Sequence, residues 1–197
     1  MTEANPIARR LSAPARLAAI AAGWWLVAFS LLTCLEIVLR RGFGTSLQAV
    51  DEIGAYSLAI VSALAFSQAL LKKGHTRVDF LLGALPLWLR APLHAIAYAL
   101  LAAAAAFGAY RGWFVLSESI EFDSHANTPL RTPLWIPQSA WLAGMLLFAC
   151  TSAALALHAL ALLFRGAWRR LDALYGPMTL EEEVEQELGA AVGKLPR

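Results

Sequence analysis

Apolar and polar residues alternate on a long wavelength in this chain, with runs of about twenty or more apolar residues parted by short charged segments. A hydrocarbon core of about 30 Å needs about 20 helical residues at about 1.5 Å each, so each run predicts a spanning helix. Four are placed near Leu17 to Leu39, Ala49 to Leu71, Pro92 to Leu116, and Leu134 to Phe164. The last exceeds what a span needs, so it is expected to tilt or to begin irregularly at Pro133-Leu134-Trp135-Ile136-Pro137, where Pro137 restricts the residue before it. Arg9, Arg10 and Arg16 precede the first run, but that run exceeds a signal-peptide core and no small-residue cleavage site follows it. It is read as a retained first helix.

Two amphipathic segments flank these spans. Residues Val78 to Arg90 are apolar, bracketed by charges and too short to cross, which predicts an interfacial helix between the second and third spans, with Trp88 at the headgroup level. Near the C-terminus, Thr179 and Glu182 make a capping-box pattern, and Leu180, Val184 and Leu188 share one face of a short acidic helix. The expected organisation is a tail over 1–16, a four-helix membrane domain over 17–165 and a C-terminal tail over 166–197 that carries this acidic helix.

Composition agrees with an all-α integral membrane protein. Of 197 residues, 59% are hydrophobic and 15% charged, against about a quarter charged in ordinary soluble domains. Lys and Arg set the orientation. Twelve fall in the N-terminal tail, the second loop (Lys72, Lys73, Arg77, Arg90) and the C-terminal tail, and four (Arg40, Arg41, Arg111, Arg131) fall on the other side. Both termini are therefore expected in the cytoplasm. These basic clusters lie beside apolar runs and form no basic face of the kind that binds nucleic acid.

Candidate chemistry is sparse. Glu36 and Arg40 stand at the favourable i, i+4 spacing for an ion pair at the end of the first span. Asp51 and Glu52 open the second, where acidic groups suit the helix dipole; they are expected to pair with Arg40 or Arg41, or to grip a basic residue of a partner. His94 and His158 fall at similar depth in the third and fourth spans, the minimum for a haem held between helices, so a redox membrane anchor is the alternative reading. His75 and His125 lack metal-ligand spacing, and no nucleophile, phosphate-loop or dinucleotide motif is present. Neither a metal nor a cofactor is expected, nor an enzyme. Cys34 and Cys150 sit in apolar runs without CxxC spacing and are expected to be buried free thiols. The tryptophans, among them Trp24, Trp25, Trp113, Trp135, Trp141 and Trp168, are read as interfacial anchors, and Ala102 to Ala106 with Gly108 and Ala109 as a surface for close helix approach.

The order of these features resembles the small membrane (DctQ-type) subunit of tripartite ATP-independent periplasmic (TRAP) transporters. The likeness rests on Arg40 after the first span, Asp51-Glu52 opening the second, Gly74-His75-Thr76-Arg77-Val78-Asp79 after it, Leu85-Pro86 with Arg90, and Thr128-Pro129-Leu130 with Trp135-Ile136-Pro137 before the fourth. It covers about residues 17–165. Gln48 and Ala49 stand where the family often has a tryptophan. The resemblance implies a bacterial inner-membrane subunit that supports a large multi-spanning permease carrying the substrate and sodium sites. A periplasmic binding protein would deliver organic acids or related anions. In that setting Arg40, Asp51, Glu52, His75, Arg77, Asp79 and Arg90 are the candidate structural or partner-contact residues, with His75, Arg77 and Asp79 fixing the second loop and membrane lipid around it.

Overall fold

The computed structural model describes residues 5–73 and 85–176. These form five helices: α1 (Pro6–Phe43), α2 (Val50–Leu71), α3 (Leu87–Glu121), α4 (Trp135–Phe164) and α5 (Trp168–Tyr175). The first four are long and apolar enough to cross a membrane, as the hydrophobic pattern predicts. No named strand occurs among the described residues, only an isolated bridge between His125 and Pro133.

Two helices outrun their apolar stretches. At 38 residues, α1 reaches about 57 Å, nearly twice a hydrocarbon core. It starts at Pro6, well before the expected span, because Asn5 caps it: Oδ1 accepts from the Ile7 amide at 3.1 Å, and Pro6 supplies a first-turn position that needs no amide proton. Pro14 removes one further backbone bond, and it lies on an exposed face where water can reach the freed carbonyl. Helix α3 begins at Leu87 with Pro86 as its cap, so Leu87 to Arg90, expected to end an interfacial helix, instead make its first turn. Residues 78–84 of that expected helix, and the acidic helix expected over 179–188, lie outside the described residues.

The spans pack as a row in the order α1, α2, α4, α3, with α4 in the interior. On α3, the buried positions Ala91, Ala95, Tyr98, Ala105, Ala109, Gly112, Leu116 and Ser119 step alternately by four and three residues once half-buried Ala102 is included. That is the seven-residue seam of shallow left-handed packing, and it is built largely from small residues, of which Ala102, Ala105 and Ala109 belong to the stretch singled out in the sequence. Trp141 of α4 fills the notch at Gly112, where an added Cβ would stand 2.6 Å from its ring. This tryptophan, read in the sequence as an anchor, therefore also packs between α3 and α4.

Helix α4 meets α2 more closely still. A Cβ on Gly144 would lie 2.8 Å from the Ala63 carbonyl carbon and 2.9 Å from the Leu64 nitrogen, so the two backbones are in contact. Phe66 and Phe148 meet at a tilt beside this point, with ring centroids 5.4 Å apart. Helix α1 sits at the outer edge of the row. Only 6% of its most apolar window is buried, against 39% for α4, and its buried residues Ala15, Ala22 and Glu36 are spaced by multiples of seven. Inside the membrane layer, Trp25 Nε1 donates to Ser57 Oγ of α2 at 2.7 Å. Trp25→Phe is expected to cost about 0.6–1.7 kcal/mol, the range of such interhelical bonds; thermal unfolding in detergent matching the unaltered chain would refute that role.

Cys34 and Cys150 are free, as expected, but exposed. The correction has a physical cause: in a bilayer an apolar sequence position can face lipid, so apolarity alone does not imply burial.

Candidate functional site

Polar side chains collect at the two ends of the row. At the end where α1 passes into α2, Glu36 organises the turn. Its Oε1 accepts from Arg40 Nη2 at 2.8 Å, Arg40 Nε at 3.1 Å and Ser46 Oγ at 2.6 Å, and its Oε2 accepts from the Leu47 amide at 2.7 Å. The anticipated Glu36–Arg40 pair thus forms and also closes the connecting loop. Arg40 is thereby committed to Glu36, and the expected pairing of Arg40 with the acidic pair of α2 is replaced by another arrangement.

That arrangement divides Asp51 from Glu52. Adjacent helical residues point about 100° apart, so one carboxylate faces the exterior and the other the bundle. Asp51 is exposed, whereas Glu52 is 7% exposed. Glu52 accepts from Tyr56 Oη at 3.0 Å, from Thr128 Oγ1, and from the Thr132 side chain and amide. Thr128 and Thr132 belong to the α3–α4 connection, whose own closure comes from Ala126 N donating to Thr132 O at 2.9 Å and Leu134 N donating to Ser124 O at 2.9 Å. Glu52 therefore ties a loop far along the chain to the start of α2. Glu52→Gln is expected to loosen this loop, read as faster amide exchange over residues 122–134 with α5 unchanged; equal exchange rates would remove the tether role.

The opposite end is closed by α5, an element the sequence reading did not anticipate. Leu171, Leu174 and Tyr175 are buried against Ala91, Ala95 and Tyr98 of α3, and Ile7 of α1 packs on the same cluster. Arg90 grips Asp172 with two parallel bonds, Nε to Oδ1 at 2.7 Å and Nη2 to Oδ2. His94 Nε2 stands 3.4 Å from Asp172 Oδ1. His158 Nδ1 shares a 2.7 Å hydrogen bond with Tyr175 Oη, and Tyr175 meets Tyr98 edge to face at 4.9 Å. Burial pushes the Tyr175 hydroxyl up to about 12, so it stays protonated, and the Asn5 side chain bonds the same oxygen. Lys73 Nζ donates to the Gly176 carbonyl at 2.9 Å.

Of the seven candidate residues, Arg40, Glu52 and Arg90 are brought into networks and Asp51 is left exposed. His75, Arg77 and Asp79 lie outside the described residues. The contacts also join Ile7, Lys73, Arg90 and α5 at one end, and Glu36, Glu52 and the α3–α4 connection at the other. His94 and His158, weighed as a haem pair, are both engaged by α5, one through Asp172 and the other through Tyr175. Among the described residues, no three His, Cys, Asp or Glu side chains converge as a metal site requires. Sequence reasoning missed Asp172 and Tyr175. A faint signal exists: Asp172 is the lone acid in an arginine-rich stretch, and Leu171, Leu174 and Tyr175 share one helical face.

Polar groups spent on holding helices and loops, within four continuous apolar spans, define a helical membrane protein. Residues 29–167, well over half of the chain, match the family described as tripartite ATP-independent periplasmic transporters, DctQ component. The chain belongs to that family. It is the small permease component of a TRAP transporter and not an enzyme. Comparison with curated proteins and with solved structures found no match.

Proposed function

We propose that this chain is the scaffold of a sodium-coupled importer for organic acids or related anions. In this reading it lies in the bacterial inner membrane with both termini in the cytoplasm, beside a large permease subunit that carries substrate and sodium. A periplasmic binding protein hands substrate to that subunit. The orientation rests on the excess of Lys and Arg at the end that carries α5.

The observation that supports a scaffold best is how the hydroxyls at spanning depth are used. Thr33, Ser57, Ser62, Ser117 and Thr151 each donate to a backbone carbonyl one turn back, at 2.6–2.9 Å. In these five the hydroxyl proton is spent on the helix's own backbone, while the buried Ser67 Oγ has no hydrogen-bond partner among the described residues. The spans α1 to α4 are also continuous, whereas transporter sites are typically built from broken helices near the midplane. Two flat apolar flanks remain, led by α1 with Leu17, Trp24, Leu31 and Val38 exposed. They suit lipid on one side and a larger membrane partner on the other. Arg40, Asp51, Glu52 and Arg90, with His75, Arg77 and Asp79, shape the ends of this scaffold for that partner.

Proteoliposomes test the reading. Uptake of a labelled dicarboxylate is expected only with this chain, the large permease and the binding protein together, under an inward sodium gradient. Uptake by this chain alone would refute the scaffold role, and uptake indifferent to the sodium gradient would refute the coupling.

A further inference from the structure

The charge around α5 is strongly one-sided. Asp172 is the sole acidic side chain among the described residues at this end of the row, and its carboxylate is already taken by Arg90 and His94. Around it, Arg165, Arg169 and Arg170 are exposed on and just before α5, and Arg9 and Arg10 are exposed on the first turns of α1. The two groups belong to one surface, because Ile7 packs into the cluster that seats Leu171, Leu174 and Tyr175.

The same patch carries the marks of the bilayer boundary. Phe164, the last residue of α4, is 85% exposed, which suits contact with hydrocarbon, and Arg165 follows it directly. Trp168 opens α5 and is 40% exposed, an amphipathic ring at the depth where headgroups meet chains. The inward face of α5 is consumed by the bundle, while Trp168 at its flank and Arg165, Arg169 and Arg170 beside it are exposed. Guanidinium pairs with phosphate through parallel bonds, and an aromatic ring beside it can lie along the glycerol and upper acyl chain.

The geometry points to a binding site for anionic phospholipid at this patch, with Arg165, Arg169 and Arg170 holding the phosphodiester and Trp168 the region beneath it. The site does not depend on which leaflet it faces or on what the transporter carries. Its physical rationale is electrostatic: each basic residue close to an anionic surface adds to lipid affinity, and salt screens it.

Native mass spectrometry of the purified full chain, titrated separately with POPG and POPC, tests this. POPG is expected to be retained over POPC, with the preference reduced at least about tenfold in R165Q/R169Q/R170Q. It is expected to persist in R165K/R169K/R170K and in R41Q, a control at the other end of the row. Added sodium chloride should weaken POPG retention and leave POPC alone. Circular dichroism of the glutamine variant checks that it folds; if it does not, the single variant R169Q carries the comparison, with a partial loss expected. Equal retention of the two lipids, or a folded glutamine variant that binds POPG as the unaltered chain does, would overturn the site. Equal retention would leave the patch to the chain's own acidic segment, Glu181 to Glu187.

Discussion

Gly144→Val is expected to be the most damaging single change in the described helices, separating α2 from α4 and lowering stability by at least about 3 kcal/mol. The magnitude follows from what the new side chain would strike. At Gly144 the first atom met is backbone, with the Ala63 carbonyl carbon at 2.8 Å and the Leu64 nitrogen at 2.9 Å. Backbone cannot rotate out of the way, so the helices must part, and Phe66 and Phe148 lose their contact with them. Two comparisons make the reason testable. Gly112→Ala meets the Trp141 ring at 2.6 Å, a side chain that has rotamers to use, and is expected to cost less. Gly23→Val meets nothing within 4 Å and is expected to be nearly neutral. Thermal unfolding in one detergent should rank the three in that order, and equal losses at Gly144 and Gly23 would defeat the account.

Asp172→Ala is the second large effect, expected to release α5 from α3 at a cost of about 2–3 kcal/mol. Breaking a fully buried ion pair costs about 3–5 kcal/mol. The Asp172 and Arg90 side chains keep 18% and 27% exposure, and solvent at that level screens part of the interaction. Removing the carboxylate also strands Arg90 and deprives His94 of its contact. The loss should be local, because α5 is an eight-residue helix at one end of the row. Limited proteolysis between α4 and α5 should accelerate about thirtyfold, while the α2–α4 contact survives. A double-mutant cycle with Arg90→Leu isolates the pair: additive losses would show that the two side chains act independently. The adjoining His158–Tyr175 bond should weaken with Asp172→Ala, since both depend on α5 staying seated.

Both effects arise where the chain gave little warning. Gly144 is one glycine in an apolar run, and nothing in that run marks it as the point where two backbones touch. The small-residue stretch of α3 was more visible, but the residues that matter, Ala105, Ala109 and Gly112, follow a seven-residue seam that only the partner helix selects. Asp172 was hidden by its surroundings: among arginines, an isolated acid reads as a charge offset, and its partner Arg90 lies 82 residues away. In contrast, Glu36 with Arg40 was legible because an i, i+4 pair is a property of the helix itself. The acidic pair was legible as a feature, but Arg40, one of the partners expected for it, went elsewhere. Arg40 was closer in sequence, but Glu36 already held it, and the threonines of the α3–α4 connection reached Glu52.

The sequence by itself determined the number of spans, their approximate limits and the family, because membrane insertion is decided by the summed hydrophobicity of a local run and the charges at its ends. It determined as well that the polar candidates cluster at the ends of the spans. Only the tertiary structure decided that the helices form a row with α4 inside and α1 at the edge. It also decided that Glu52 rather than Asp51 turns inward, and that a short α5 seals one end through Arg90, His94 and His158. Those outcomes depend on which faces of similar apolar helices meet, and in a bilayer hydrophobicity no longer tells them apart. Close packing at small residues and scarce polar contacts do so instead.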